Sequence, residues 1–195
     1  MRVPRPWLLW LAALWVAAVG SGMAILLDFA NEPGDPGAPP ARWPDDSRLP
    51  RQRHLPTLVM VAHPRCPCTR ASLEELNRIL AHDSDKLVAD VVFIQPPGAA
   101  GDWSATDVVR AARAIPGVHV LIDAEETEAR RFGARTSGQT LLYDAGGRLR
   151  FRGGITAARG HAGDNAGRSA IQALLEQGAV DQAHTSVFGC ALEER

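Results

Sequence analysis

The residues best suited to covalent chemistry are Cys66 and Cys68, separated only by Pro67 in the segment His63-Pro64-Arg65-Cys66-Pro67-Cys68-Thr69-Arg70. A thiolate is the nucleophile of disulfide exchange and a soft metal ligand, and its pKa falls at a helix N-terminus or beside a cation. The segment offers both settings. His63, Arg65 and Arg70 supply positive charge, and Leu73, Leu76, Ile79 and Leu80 begin a helical spacing directly afterwards. Ser72 and Glu75 have the spacing of a capping box for that helix. A disulfide closed between cysteines so near in sequence departs from relaxed geometry, and should therefore be easily reduced and oxidising. Alternatively Pro67 stops this pair from closing and the remaining cysteine, Cys190, resolves Cys66. The tail beyond Gly178, at about 3.3 Å per residue, can return the length of a preceding helix that rises about 1.5 Å per residue. A third reading leaves Cys190 unpaired in a frayed tail.

The elements that must hold these cysteines follow from hydrophobic period. Thr57–Ala62 is a short apolar strand before the cysteines, and Lys86–Ile94 is the nearly continuous apolar run of a central strand. A helix from about Ala105 to Ile115 is closed by Pro116 and Gly117, a third strand covers Val118–Ile122, and a short helix covers Glu125–Phe132. Thr140–Tyr143 and Arg148–Arg152 flank the turn Asp144-Ala145-Gly146-Gly147 as a hairpin. A last helix, Arg168–Gln177, has Asp164 or Asn165 as cap and Gly178 as stop. The order predicts an α/β fold with a mixed central sheet and helices on both faces, with the cysteines at a strand's carboxyl end, where such sheets bind ligands.

Strand, Cys pair and helix in this order resemble the thioredoxin-like superfamily, and the exported anchor described below makes the membrane-tethered TlpA/ResA-type redoxins the nearest likeness. The resemblance covers residues 55–178 and includes the hairpin Tyr143–Gly153. It implies protein thiols or disulfides as partners and no cofactor. Two departures stand out: Cys-Pro-Cys replaces Cys-x-x-Cys, and Ser137-Gly138-Gln139 stands where the family places a cis-proline. Gly138 and Gln139 are then expected to dock an extended substrate chain. The Gly-rich loop Gly153–Gly167 should lie beside Cys66, which adds Arg159, His161, Asp164 and Asn165 as proton donors, docking groups or metal ligands. A partial likeness to Sco-type copper chaperones suggests the alternative cofactor, copper held by Cys66, Cys68 and His161. Zinc fits less well, since a closed site wants four ligands and there is no second Cys pair. Neither His54, His82, His119 nor His184 has metal-ligand spacing, and Glu74, Glu75, Glu125, Glu126 and Glu128 read as solvated helix faces.

Ahead of this domain, Trp7–Leu27 is a run of 21 residues without a charge, enough to cross about 30 Å of hydrocarbon. Arg2 and Arg5 precede it and Asp28, Glu32 and Asp35 follow, so the positive-inside rule predicts a single-pass anchor, N-terminus in, domain on the periplasmic side. A cleaved signal peptide is the rival, but the apolar run continues past the small residues Gly20-Ser21-Gly22. The expected organisation is an anchor over 1–28, a Pro-rich tether over 29–56 that holds the domain clear of the bilayer, the domain over 57–178 and a tail over 179–195. Trp43 within the tether is a candidate interfacial anchor. With 21 Lys and Arg against 22 Asp and Glu, the chain has no basic field to bind nucleic acid.

Overall fold

A computed structural model describes residues 6–99, 102–180 and 182–192. The chain divides into two compact units, residues 1–32 and 33–195. The first contains helix α1 (Pro6–Asn31), 26 residues with a mean hydropathy of 2.0 and no buried side chain. At about 1.5 Å per residue it is long and apolar enough to cross a bilayer. Arg2 and Arg5, on which the expected orientation rests, lie outside the described residues.

The second unit is built on five strands in the order β3-β2-β1-β4-β5. Strands β1 (Thr57–Ala62), β2 (Val88–Gln95) and β3 (Val118–Ala124) are parallel, whereas the hairpin β4 (Gln139–Tyr143) and β5 (Leu149–Gly153) adds antiparallel to β1. Helix α2 (Thr69–Asp83) follows β1, α3 (Asp107–Ala114) follows β2, α4 (Thr127–Arg131) follows β3 and α5 (Ala166–Gln177) ends the series. The side chains alternate across the sheet. Leu58, Met60, Val91 and Phe93 face Leu76 and Ile79 of α2, Val109 of α3 and Ile171 of α5, whereas Val59, Val61, Val92 and Ile94 face Ala129 of α4, Phe132 and Leu49. Thus the expected mixed sheet with helices on both faces is present. The expected cap and stop of α5 are also there: Asn165 Oδ1 accepts from the Arg168 N–H, and Gly178 takes the left-handed conformation.

The second face differs from the expectation. Its single short helix cannot cover the sheet, and the Pro-rich segment completes the layer rather than acting as a tether. The Ala38 and Trp43 N–H groups donate to the Gly133 and Gly147 carbonyls, Tyr143 Oη donates to the Pro40 carbonyl, and Leu49 is buried. Proline forbids a regular element here but leaves carbonyls free to accept, so the segment docks as an extended strap. Trp43 is accordingly no interfacial anchor: its ring stacks edge-on against Phe132 and Tyr143, with centroids 5.1 and 5.3 Å away.

Three of the five glutamates expected on wet helix faces are buried as well. Glu126 lies against Arg130, and Glu128 accepts from Ser47 Oγ and Arg48 of the strap and pairs with Arg131. Glu75 is fully buried and belongs to the site below. The capping box is absent for a related reason. Helix α2 starts three residues before Ser72, whose N–H already donates to the Cys68 carbonyl, so Glu75 is free to turn inward.

Strand β2 carries one polar exception, Asp90, buried with Oδ2 unpaired and Oδ1 3.6 Å from Nδ1 of the exposed His119. Burial pushes its carboxyl up to about 6, only partly opposed by His119. The folded-state value exceeds the unfolded one, so folding takes up a proton between these values and stability falls as pH rises through this window. The expected loss is on the order of 2–3 kcal/mol between about pH 4 and 6. Urea titrations should show this slope in the native chain and a flat profile for Asp90→Asn; equal slopes would count against the assignment.

Candidate functional site

Cys66 lies in the turn between β1 and α2, where its N–H donates to the His63 carbonyl and its own carbonyl accepts from the Thr69 N–H. Pro67 is exposed, Cys68 is the residue before the first helical turn, and both are where the sequence puts them. Cys190 arrives from the opposite end of the chain. After α5 the tail runs back along β5, with the Arg152 N–H donating to Ala183 and the Thr185 N–H to Arg152. It then crosses the turn before β4. There the Ser137 N–H donates to the Cys190 carbonyl at 2.8 Å, the Leu192 N–H donates to Arg135 at 2.9 Å, and Thr136 and Ala191 form an antiparallel bridge. Residues 182–192 are therefore not frayed, and Val187 and Leu192 are buried on either side of Cys190.

The three cysteines are free thiols that meet at the sulfur of Cys66. Burial of Cys66 would push its thiol up, but the Cys190 S–H and N–H, the Cys68 N–H and the Ser137 hydroxyl all donate to it and hold it below its ordinary 9.0. Cys68 moves the other way, raised by burial and then by the negative Cys66, to which its S–H donates. Cys190 is pushed up to about 12 by burial and by donating to Cys66. Cys66 is thus the most acidic of the three thiols. Ser137 is fixed in turn by the His63 N–H, which donates to its Oγ at 2.9 Å, and by Thr69 Oγ1 at 3.0 Å.

The cations expected to tune the thiolate are arranged differently. Arg65 lies over the Trp103 ring, 4.2 Å from its centroid, His63 stacks edge-on against the same ring and accepts from the Arg65 N–H, and Arg70 pairs with Asp107. The two guanidiniums are committed to the outer rim. The guanidinium that acts on the sulfurs is Arg159, which lowers both Cys68 and Cys190 and donates to the Gly189 carbonyl. Next to it the Gly160 N–H donates to Cys68. The Gly-rich loop therefore does lie beside the cysteines, as its place after β5 requires. It is anchored from below by Glu75, whose carboxylate accepts from the Gly163 N–H, Asn165 Nδ2 and Arg168 Nη1 at 2.8, 3.0 and 2.6 Å.

Two docking candidates are used up inside the fold. Gly138, with a φ of 88°, donates its N–H to Val61 and accepts from Thr140 Oγ1, and a Cβ there would sit 2.8 Å from Ser72 Oγ. Gln139 is buried, with Oε1 accepting from Arg135 and Nε2 donating to Pro36. Asp164 is exposed and pairs with Arg168, and His161 is exposed. Among the described residues no three His, Cys, Asp or Glu side chains are grouped as a metal site of that size would be.

The site thus occupies the β1–α2 turn at the carboxyl edge of a parallel trio of strands flanked by an antiparallel hairpin. The fold is thioredoxin-like. Among solved structures, a hypothetical protein from Sinorhizobium meliloti 1021 matches with a TM-score of 0.61 and 21% identity over 83% of this chain and 93% of its own. An uncharacterized conserved protein from Geobacillus kaustophilus matches with 0.61 and 17% over 85% and 93%. The exposed lipoprotein thioredoxin Etrx1 of Streptococcus pneumoniae has a TM-score of 0.46 and 20% identity over 64% and 86%. No family model and no curated protein matches the chain.

Ser137 precedes Gly138, where the proline was expected, and only that departure drew attention to the stretch in the sequence. Trp103, whose Nε1 donates to the Ile94 carbonyl, stood in a loop with no signal at all. Thiolate absorbance of the reduced protein should show one titration step below 9 and two above it. Cys66→Ser should remove the low step and lower the other two, because both are raised by the Cys66 charge; Ser137→Ala should raise the low step. An unchanged low step in Cys66→Ser would place the thiolate elsewhere.

Proposed function

We propose that the chain is a membrane-anchored, extracytoplasmic thiol–disulfide oxidoreductase, with Cys66 as the central thiolate, Cys190 as its disulfide partner and Cys68 as a third redox thiol. One observation carries this reading: Cys68 and Cys190, from opposite ends of the domain, both meet the buried Cys66, the tail being fixed there by the Ser137 N–H on the Cys190 carbonyl at 2.8 Å. A thiolate held in this way is a good leaving group, and stabilising the reduced form makes the corresponding disulfide a stronger oxidant. Protein dithiols are therefore the substrates, oxidised to disulfides while the site is reduced.

The choice of Cys190 over Cys68 rests on ring geometry. Closing residues 66 and 68 forces a small ring through Pro67, whereas Cys190 approaches on a separate segment of the chain. Placement of the domain outside the cytoplasm is supported by the charge pattern around α1 and suits a site that works as an oxidant.

Oxidised protein digested and weighed by mass spectrometry should show Cys66 joined to Cys190. Its equilibrium with glutathione should give a potential well above the roughly −270 mV of a reducing thioredoxin. Cys66→Ser should lower the rate of disulfide transfer at least about a hundredfold, and His161→Ala should change it less than about threefold. Retention of activity in Cys66→Ser would remove the basis of the reading.

A further inference from the structure

The proposed exchange leaves open which sulfur a partner protein meets. Cys66 is 1% exposed, lying beneath the tail and between the Cys68 turn and Ser137. A depression of about 370 Å³ is lined by Cys66 together with Pro64, Arg65, Pro67, Arg70 and Thr106, and only 1% of the residue's surface is open at its floor. Cys190 is only partly buried and sits in an extended segment at the surface. We propose that Cys190 is the partner-facing sulfur and that Cys66 is the buried leaving group behind it. This rests on the thiol–disulfide reading above.

In the oxidised site a partner thiolate attacks Cys190 Sγ. A partner–Cys190 disulfide forms, the Cys66–Cys190 bond breaks, and Cys66 keeps the electron pair as a thiolate. The partner's second thiol loses its proton to solvent and attacks the partner's own bonded sulfur. Cys190 leaves with the electron pair and takes up a proton. The partner dithiol has become a disulfide, and the site has gained two electrons.

The surroundings favour this direction of attack. The sulfur with the lower pKa leaves faster, and Cys66 is the one ringed by donors. Attack on Cys66 would expel Cys190 instead, whose thiol is pushed up by burial. In the second step Arg159, beside Cys190 and bonded to the neighbouring Gly189 carbonyl, offsets the charge on the departing sulfur. The tail is built to present the cysteine and not to swing away. Val187 and Leu192 pin it on both sides, and Gly189 passes so close that a Cβ would lie 2.0 Å from the Ser137 carbonyl oxygen.

The test uses oxidised full-length protein and its Cys68→Ser variant, mixed with an unstructured peptide carrying one cysteine, acid-quenched early and digested with trypsin. Cys66 then lies on fragment 66–70 and Cys190 on fragment 169–195. At least tenfold more peptide on 169–195 is expected; a preference for 66–70 overturns the proposal. If neither protein contains a Cys66–Cys190 bond before the peptide is added, the underlying functional reading fails instead. A second variant, Gly189→Ala, lifts the tail from Ser137. It should slow exchange with the peptide at least tenfold, whereas an acceleration, as expected if uncovering Cys66 opened the entry point, overturns the proposal.

Discussion

The site depends on the burial of one sulfur whose surroundings favour its charged form. Water stabilises a thiolate well, so a fold that takes Cys66 out of water must replace the lost hydration with its own donors. The replacement comes from three places far apart in sequence: the turn that carries Cys68, the turn before β4 that carries Ser137, and the tail that carries Cys190. Each is held by further bonds, Ser137 by His63 and Thr69, the tail by Arg135 and Ser137. Much of the irregular backbone exists to deliver those donors.

The same logic explains the buried acids on the helices. Glu75 and Glu128 look like surface residues, yet each ties an irregular segment to a regular helix. Glu75 binds the Gly-rich loop and the first turn of α5, and Glu128 binds the Pro-rich strap at Ser47 and Arg48. Loops without apolar residues to bury need such polar anchors, and a buried carboxylate that accepts several bonds can hold backbone N–H groups that no hydrophobic contact could. Positioning of Arg159 beside the cysteines follows from the first of these clamps.

The elements of the sheet were legible because each has a clear period: Leu73, Leu76, Ile79 and Leu80 on α2, or Leu149 and Phe151 alternating with arginines on β5. The cysteines and the closeness of the Gly-rich loop could be read from topology. Other features could not. A charged residue on a helix reads as solvated until its partners are known, and those of Glu75 lie about ninety residues away. Proline excludes helix and strand from residues 33–56 but says nothing about docking. The arginines next to Cys66 in sequence point outward to Trp103 and Asp107, because adjacent residues in a turn diverge, while a distant arginine reaches the sulfurs. Gln139 showed the same ambiguity: an amide at a presumed docking edge was equally able to be an internal brace.

The donors around Cys66 also couple redox state to resistance against unfolding. They hold the sulfur only while it is charged, and an unfolded chain has no such ring, so their full strength is added to the folded, reduced form alone. Around a closed thermodynamic cycle, whatever makes the site accept electrons eagerly must make the electron-rich protein the harder one to melt. In the proposed exchange, a chain that has oxidised a partner is left in its sturdier state, and recharging it by a fresh oxidant works against that gain.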